Sequence, residues 1–380
     1  MRRRSALVVA ALTAATSLFA GLAPAGAGPS LGGLSSDNVE WVDYVPFDVG
    51  TASGAKIVGK YMYVTSWRNF SIYDIKDPLA PELVRTVPFG FAFENEDVDG
   101  TNKIMIFSEE LPLPTLHVWD VEDKSNPVEI ATLAGAGQHT MSCLQKCKWL
   151  YGSDGNIIDL RDPANPKLLP NKWGEGMPTG NAHDVNEIAP GRVLTSSDPM
   201  MLLDTTNPAK PKLLALAEPM GEFIHSSKWP QEGRDRFALS TGETWYPGAD
   251  AACNETSGGF TTWDASKWKK TKTITRIETY RPPSGTYADG HPPSGTTFGC
   301  STHWFEAHPD FRNGGTVAVT MFNHGTHFLG VDGKGHITDD GYFLPHAGNS
   351  AAAYWVTDEI VYSVDLQKGF DILKWKGAGD

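Results

Sequence analysis

The chain has 380 residues, 45 of them acidic and 32 basic, for a formal net charge of −13. A surface this acidic argues against nucleic acid and anionic lipid as main partners, since both need a basic face. The four cysteines suit an oxidising compartment.

The first element in chain order is a processing signal. Arg2, Arg3 and Arg4 form a charged start, an Ala/Leu/Val-rich stretch follows, and Ala25-Gly26-Ala27 offers a small-residue cleavage site. Residues 1–27 read as a signal peptide of bacterial type, and residues 28–380 as a single secreted, extracellular domain. Gly21, Pro24 and Gly26 interrupt the early apolar run, which argues against a membrane anchor, and no later segment is long and apolar enough for a membrane span.

From there the sequence is built of short alternating apolar runs bounded by Gly, Pro, Asn and Asp, the pattern of strands rather than helices. One cassette recurs seven times: an apolar strand ending in Ser or Gly, a turn, a second apolar strand ending in Asp, often Asp-Pro-x-x-Pro, and a further strand. The clearest copy is Tyr61–Val87, YMYVTSWRNFSIYDIKDPLAPELVRTV. Aligned on their second strands, the copies run Tyr61–Ser66, Ile104–Ser108, Trp149–Ser153, Val193–Ser197, Phe237–Thr241, Thr316–Phe322 and Ile360–Val364. Similarity at a period of this length means a stacked or radial repeat. The last copy stops after its third strand, while Val39–Val45 resembles a stray fourth strand ahead of the first copy. Pairing the two would hide both open sheet edges. The expectation is an all-β, seven-bladed β-propeller with four strands per blade, its ring closed by the N-terminal strand pairing into the last blade. Proline after the third strand presets φ and withholds a ladder donor, so it should end that strand and start the outer one.

Cassettes of the type YVTSWRNFSIYDIKDPLAPELV, with the ending AAYWVTDEIVYSVDLQKGFDILKW, resemble the exported LVIVD-repeat propellers of actinobacteria. The resemblance spans nearly the whole of residues 28–380 and implies the fold, but no particular reaction. More distantly the design is similar to the selenium-binding/methanethiol oxidase propellers, with no stretch matching closely enough to carry residues over.

In a propeller the first strand of each blade lies innermost, and the loops that enter it share one face, the top, with the loops between strands two and three. His139 and His183 each lie nine positions before the basic residue, Lys148 or Arg192, that opens strand two. His225 and His303 occupy the same start of their blades, with slightly longer turns following. Glu94 takes the place in blade two, and blades one and seven offer only Thr51 and Ser350. Four consecutive blades should therefore set an imidazole on the upper inner rim. Neutral imidazoles there suit copper, iron or zinc, and Asp184 or Glu222 would orient one of them. The carotenoid-oxygenase propellers hold iron through inner-strand histidines, an analogy of architecture alone. The plainer reading is that these histidines satisfy a wet channel and were copied by duplication.

Cys143 and Cys147 flank a bottom turn and read as a local disulfide staple. Cys253 and Cys300 sit in two long top-face insertions, Gly242–Gly258 and Arg281–Gly299, and a bridge between them is geometrically sensible. The insertions also carry Trp245, Tyr246, Tyr287 and His291, and read as a lid over the funnel with aromatics for a small-molecule ligand. Further top-face candidates are Trp67, Glu109, Glu110, Asp154, Asp198, Glu243, His324 and His346. His324, Trp245 and Tyr246 are the ones placed to touch a substrate. His308 and His336 read as structural residues of turns, and Trp119, Trp263, Trp355 and Trp375 as packing between blades.

No nucleophile elbow, H-E-x-x-H, phosphate loop or dinucleotide fingerprint is present. Three functional classes stay open: a metal-dependent enzyme acting on a small organic substrate, a non-catalytic binding scaffold for protein, glycan or cell-wall material, and a metal-free hydrolase using carboxylates such as Glu110 and Glu243. The sequence names no reaction and no protein partner.

Overall fold

A computed structural model describes residues 32–47, 52–90, 98–111, 113–244, 258–282, 300–346, 348–366 and 369–378. These residues form six hydrogen-bonded sheets. Each is an antiparallel meander, or two joined, and the strands follow the sequence repeat. The first meander is Ala52–Val58, Tyr61–Ser66, Asn69–Asp74 and Glu82–Pro88, and the second is Asp99–Gly100, Ile104–Glu109, Thr115–Asp120 and Val128–Ala134. The third is Met141–Leu144, Trp149–Gly152, Ile157–Asp159 and the two-residue strand Lys167–Leu168. The fourth (Asp184–Ala189, Arg192–Ser196, Met201–Asp204, Lys212–Ala217) and fifth (Ile224–Lys228, Phe237–Gly242, Phe260–Asp264, Thr273–Tyr280) merge into one eight-stranded sheet. The joint is a short parallel pairing of their outer strands, Leu216 with Thr273 and Ala217 with Ile274.

Two meanders recruit the N-terminal chain. Val39–Pro46 pairs antiparallel with Gly369–Trp375, the outer strand of the last meander, which also contains Ser350–Trp355 and Ile360–Asp365. The expected pairing of the stray strand with the chain end is therefore present. The repeat gave no sign of a second addition: Gly33–Ser35 lies along Ile337–Pro345, making a fifth strand on the sheet of Phe305–Ala307, Gly315–Thr320 and Thr326–Val331. Glycine is required at that approach, because a Cβ on Gly33 would stand 2.1 Å from the Leu344 carbonyl oxygen.

Burial explains the sequence pattern. Second strands such as Phe237–Gly242 are buried at every position, whereas the outer Glu82–Pro88 is exposed or half-buried throughout. Strands covered on both faces read as near-continuous apolar runs. The apolar side chains gather between neighbouring meanders. Trp119 meets Phe70 edge-on across the first and second, and Trp263 is fully buried between the fourth and fifth. Phe328 stacks on Trp375 at 4.6 Å, and Ala55, Met62 and Tyr73 of the first meander share a cluster with Tyr362, Phe370 and Ile372 of the last. Trp355 packs against Phe328 and His308.

The recurring Asp at the end of strand three has one structural task. The carboxylates of Asp74, Asp120, Asp159, Asp204 and Asp264 each accept the backbone N–H two residues on, at 2.8–3.1 Å. This side chain closes the turn where the strand ladder stops. In the Asp-Pro-x-x-Pro copies a second turn follows, as Ala80 N–H to Asp77 C=O and Asn165 N–H to Asp162 C=O show. His308 and His336 are turn residues as expected, the first bonded to the Asp358 carbonyl oxygen and the second to Glu278.

Cys143 and Cys147 form the expected disulfide, with Cα atoms 4.4 Å apart. It spans a turn in which Gln145, Lys146 and Cys147 all have left-handed φ. Cys300 is disulfide-bonded. Cys253, like all of residues 245–257 in the first insertion, lies outside the described residues. No helix among the described residues is long and apolar enough to cross a membrane.

Candidate functional site: a ring of histidines

Inner strands position the four imidazoles. His139 and His183 directly precede or nearly precede Met141–Leu144 and Asp184–Ala189, His225 lies in Ile224–Lys228, and His303 comes two residues before Phe305–Ala307. Their backbones are tied into the ladder and to the neighbouring meander. His183 N–H bonds the Ser196 carbonyl, and His303 N–H the Thr320 carbonyl. The hydroxyl of Thr140 donates to the His183 carbonyl oxygen, and that of Thr241 to the His303 carbonyl oxygen.

The rings converge in sequence order. His139 Nε2 stands 2.9 Å from His183 Nε2, and ring centroids lie 3.9 Å apart for His183 with His225 and again for His225 with His303. Three of the four have their other nitrogen fixed. His183 Nδ1 lies 3.0 Å from the His225 carbonyl oxygen and His303 Nδ1 lies 2.7 Å from that of Ala351, while His139 Nδ1 lies 3.1 Å from the Glu110 carboxylate. A carbonyl or carboxylate oxygen only accepts, so each Nδ1 carries the proton and each neutral ring keeps its lone pair on Nε2. That is the orientation an imidazole takes as a metal ligand.

The ring grades from open to closed. The His139 side chain is 27% exposed, whereas His225 and His303 are buried. Glu243 faces His303 Nε2 at 3.9 Å, and His183, His225 and Glu243 offer ligand atoms that lie within 4.8 Å of one another. Aromatic side chains surround them: Phe223 edge-on to His183 at 5.4 Å, Trp304 edge-on to His225 at 5.4 Å, and Phe322 against His303 at 4.6 Å. Phe223 is half exposed and Phe322 is buried.

Two expected orienting residues do other work. Asp184 follows His183 in an extended segment, where successive side chains point to opposite sides. Its buried carboxylate accepts from Ser142 Oγ, the Val185 N–H and Asn186 Nδ2. Burial pushes that carboxyl above the usual range, against the pull of His183 and these bonds. Glu222 instead pairs with Arg281, whose Nη2 lies 2.7 and 2.6 Å from the two carboxylate oxygens, a stronger partner than a neutral ring. The orienting roles found at the ring belong to Glu110 and to two backbone carbonyls.

His324 is buried but is paired with His327, Nδ1 to Nε2 at 2.7 Å. Glu109 binds His117 at 3.3 Å, and Asp198 accepts the N–H groups of Met220 and Gly221. Asp154 and His346 are exposed, and Trp67 is half-buried. Glu94, Trp245, Tyr246, Tyr287 and His291 lie outside the described residues. The residues that sequence reasoning missed are Phe223, Trp304, Phe322 and His327. The first two stand within two positions of a ring histidine, which is the one signal that pointed to them.

No protein-family model matches the chain, and no curated protein matches its sequence. Solved structures do match. The Cps50 (Swd1) β-propeller domain of Myceliophteria thermophila aligns over 87% of this chain and 98% of its own, with 10% identity and a TM-score of 0.57. KlHsv2 with loop 6CD replaced by a Gly-Ser linker covers 84% and 90%, with 12% identity and a TM-score of 0.51. Hsv2 of Kluyvelomyces marxianus covers 84% and 90%, with 9% identity and a TM-score of 0.50. At these identities the likeness is one of fold, and the fold is a β-propeller.

Proposed function

We propose that this chain is a secreted, LVIVD-repeat-like propeller of seven four-stranded blades, with a transition-metal centre held by His139, His183, His225 and His303. The observation that carries the reading is the approach of two imidazoles through their lone-pair nitrogens. His139 Nε2 and His183 Nε2 are 2.9 Å apart while both Nδ1 atoms are committed to acceptors. With both Nδ1 atoms donating, two neutral rings have no proton to share between their Nε2 atoms, and a shared cation would hold them at that distance. An ion bound at about 2.0–2.1 Å from each nitrogen brings neighbouring ligands to roughly 2.9–3.4 Å from each other, which matches the separation. Ligand softness suits copper, iron or zinc.

His183, His225 and Glu243, whose ligand atoms lie within 4.8 Å of one another, would form the core of the centre, with His139 and His303 on either side and a further position for water or substrate. The ion would then act as Lewis acid or redox centre on a small organic molecule approaching from the exposed His139 side. The half-exposed Phe223 beside His183 supplies an apolar contact there. The seven-blade reading rests on the seven sequence cassettes and on the pairing of Val39–Pro46 with the last strand.

The test is metal uptake by purified, demetallated protein offered copper, zinc and ferrous iron in turn, read by elemental analysis. One equivalent of one metal is expected. Failure of all three to bind stoichiometrically would overturn the centre.

A further inference from the structure

A second histidine cluster lies outside the ring, in a hydrogen-bonded line that ends at a carboxylate. His324 and His327 are 4% and 2% exposed. His324 Nδ1 meets His327 Nε2 at 2.7 Å, His327 Nδ1 meets Asp339 Oδ2 at 2.9 Å, and Tyr280 donates its hydroxyl to the same carboxylate oxygen at 2.7 Å. The outer end is wet, because the Asp339 side chain is 28% exposed. On the inner side His324 lies in the turn after Gly315–Thr320, two residues beyond Phe322, which packs on His303 and whose carbonyl oxygen accepts the Ser350 N–H.

We propose that Asp339, His327 and His324 form a relay that carries protons between outside solvent and the chamber of the histidine ring. The relay rests on the metal-centre reading for its purpose, but not for its existence.

His327 has a partner in either protonation state. With Nε2 bare it accepts from His324 Nδ1. With Nε2 protonated it can donate to the His324 carbonyl oxygen at 3.2 Å, and the resulting imidazolium faces the Asp339 carboxylate. One proton passes outward when His324 gains one from the chamber and releases its Nδ1 proton to His327 Nε2. His327 then releases its Nδ1 proton to Asp339, which yields it to water, and the rings return by exchanging tautomers. Nothing is oxidised or reduced. Tyr280 is a fixed donor rather than a carrier, since burial and the Asp339 charge push its phenol well above the usual range. Burial raises the Asp339 carboxyl, but the bonds from His327 and Tyr280 outweigh it and hold the group below the usual range. Around His327 the described titratable groups are Asp339, His324 and Tyr342, whose ring centroid lies 6.1 Å away.

The experiment is the solvent-exchange rate of the His324 imidazole proton by nitrogen-15 NMR of the full chain, in the metal-free state and with one equivalent of zinc. A relay predicts that Asp339→Asn slows exchange by about tenfold or more, and that Asp339→Glu restores it. A carboxylate that only braces His327 predicts the opposite sign, because loosening the bond exposes the proton. Equal or faster exchange in Asp339→Asn overturns the relay. Slowed exchange with no response of His324 to zinc in a protein that binds zinc overturns its link to the ring. Slowed exchange in a protein that takes up no metal leaves the relay standing and removes the metal centre instead.

Discussion

His183 belongs to two of the three ring contacts, so its removal is the sharpest perturbation of the proposed centre. The His183→Ala variant loses one ligand and frees the His225 carbonyl, at a baseline cost of about 1–3 kcal/mol for an acceptor left without its donor. That cost is common to the metal-free and metal-loaded states and cancels when each protein is compared with itself. At free metal one hundred times the dissociation constant, wild-type protein gains about 2.7 kcal/mol from binding. Loss of a residue that merely orients a ligand weakens binding roughly 10–100-fold, and loss of a ligand should do no less. At the same free metal the variant then gains no more than about 0.4 kcal/mol for a hundredfold loss. The assay is urea unfolding at buffered free metal and with chelator. With a urea slope of about 3 kcal/mol/M, the wild-type midpoint rises by a little under 1 M and the variant midpoint by roughly a seventh of that. Equal metal-linked shifts in the two proteins would refute the reasoning, because the ion would then sit elsewhere.

Replacing Glu110 by Gln removes the charge facing His139 Nδ1 at 3.1 Å and should weaken metal binding roughly 10–100-fold without changing stoichiometry, read by competition with a chromophoric chelator. Trp375→Ala deletes the ring stacked on Phe328 in the meander that the N-terminal strand completes, and should cost about 3–5 kcal/mol in urea unfolding with an unchanged slope. Cys143→Ser with Cys147→Ser opens a short loop and should cost about 2 kcal/mol, without altering metal content. Two carboxylates of the fourth meander should give opposite pH signatures. Asp204 is held low by Thr206, so its contribution is present above the ordinary carboxylate value and fades as pH falls through the lower folded value; Asp204→Asn should flatten that acid limb. Glu187 is pushed up by burial, so stability falls as pH rises from the ordinary value through the higher folded one, and Glu187→Gln should remove that fall.

What the sequence carried is what the repeat dictates. Each Asp that closes strand three makes the same side-chain turn, so it marks the strand end in every cassette where it stands. The position of a residue along an inner strand is likewise common to all copies, and this is why spacing alone set four histidines on one rim. Contacts between different loops obey no such period. Glu110 reaches His139 from the preceding meander's turn, Arg281 reaches Glu222 from the exit of an outer strand, and Gly33–Ser35 joins a sheet whose other strands lie some three hundred residues away. His327 sits in a strand where alternation says inward or outward but not that a carboxylate waits beside it.

Duplication copies a histidine position, whereas the bonds that fix each ring differ from copy to copy. His183 and His303 bond the carbonyl at the matching place in the next meander, His225 and Ala351. The equivalent carbonyls for His139 and His225 are those of His183 and His303, and both accept a threonine hydroxyl, from Thr140 and Thr241. His139 turns instead to Glu110, which is what allows its Nε2 to face that of His183. The anchors thus differ around the rim, with Glu110 for His139 and backbone carbonyls for His183 and His303, and neighbouring rings approach to 2.9 Å between Nε2 atoms or 3.9 Å between centroids.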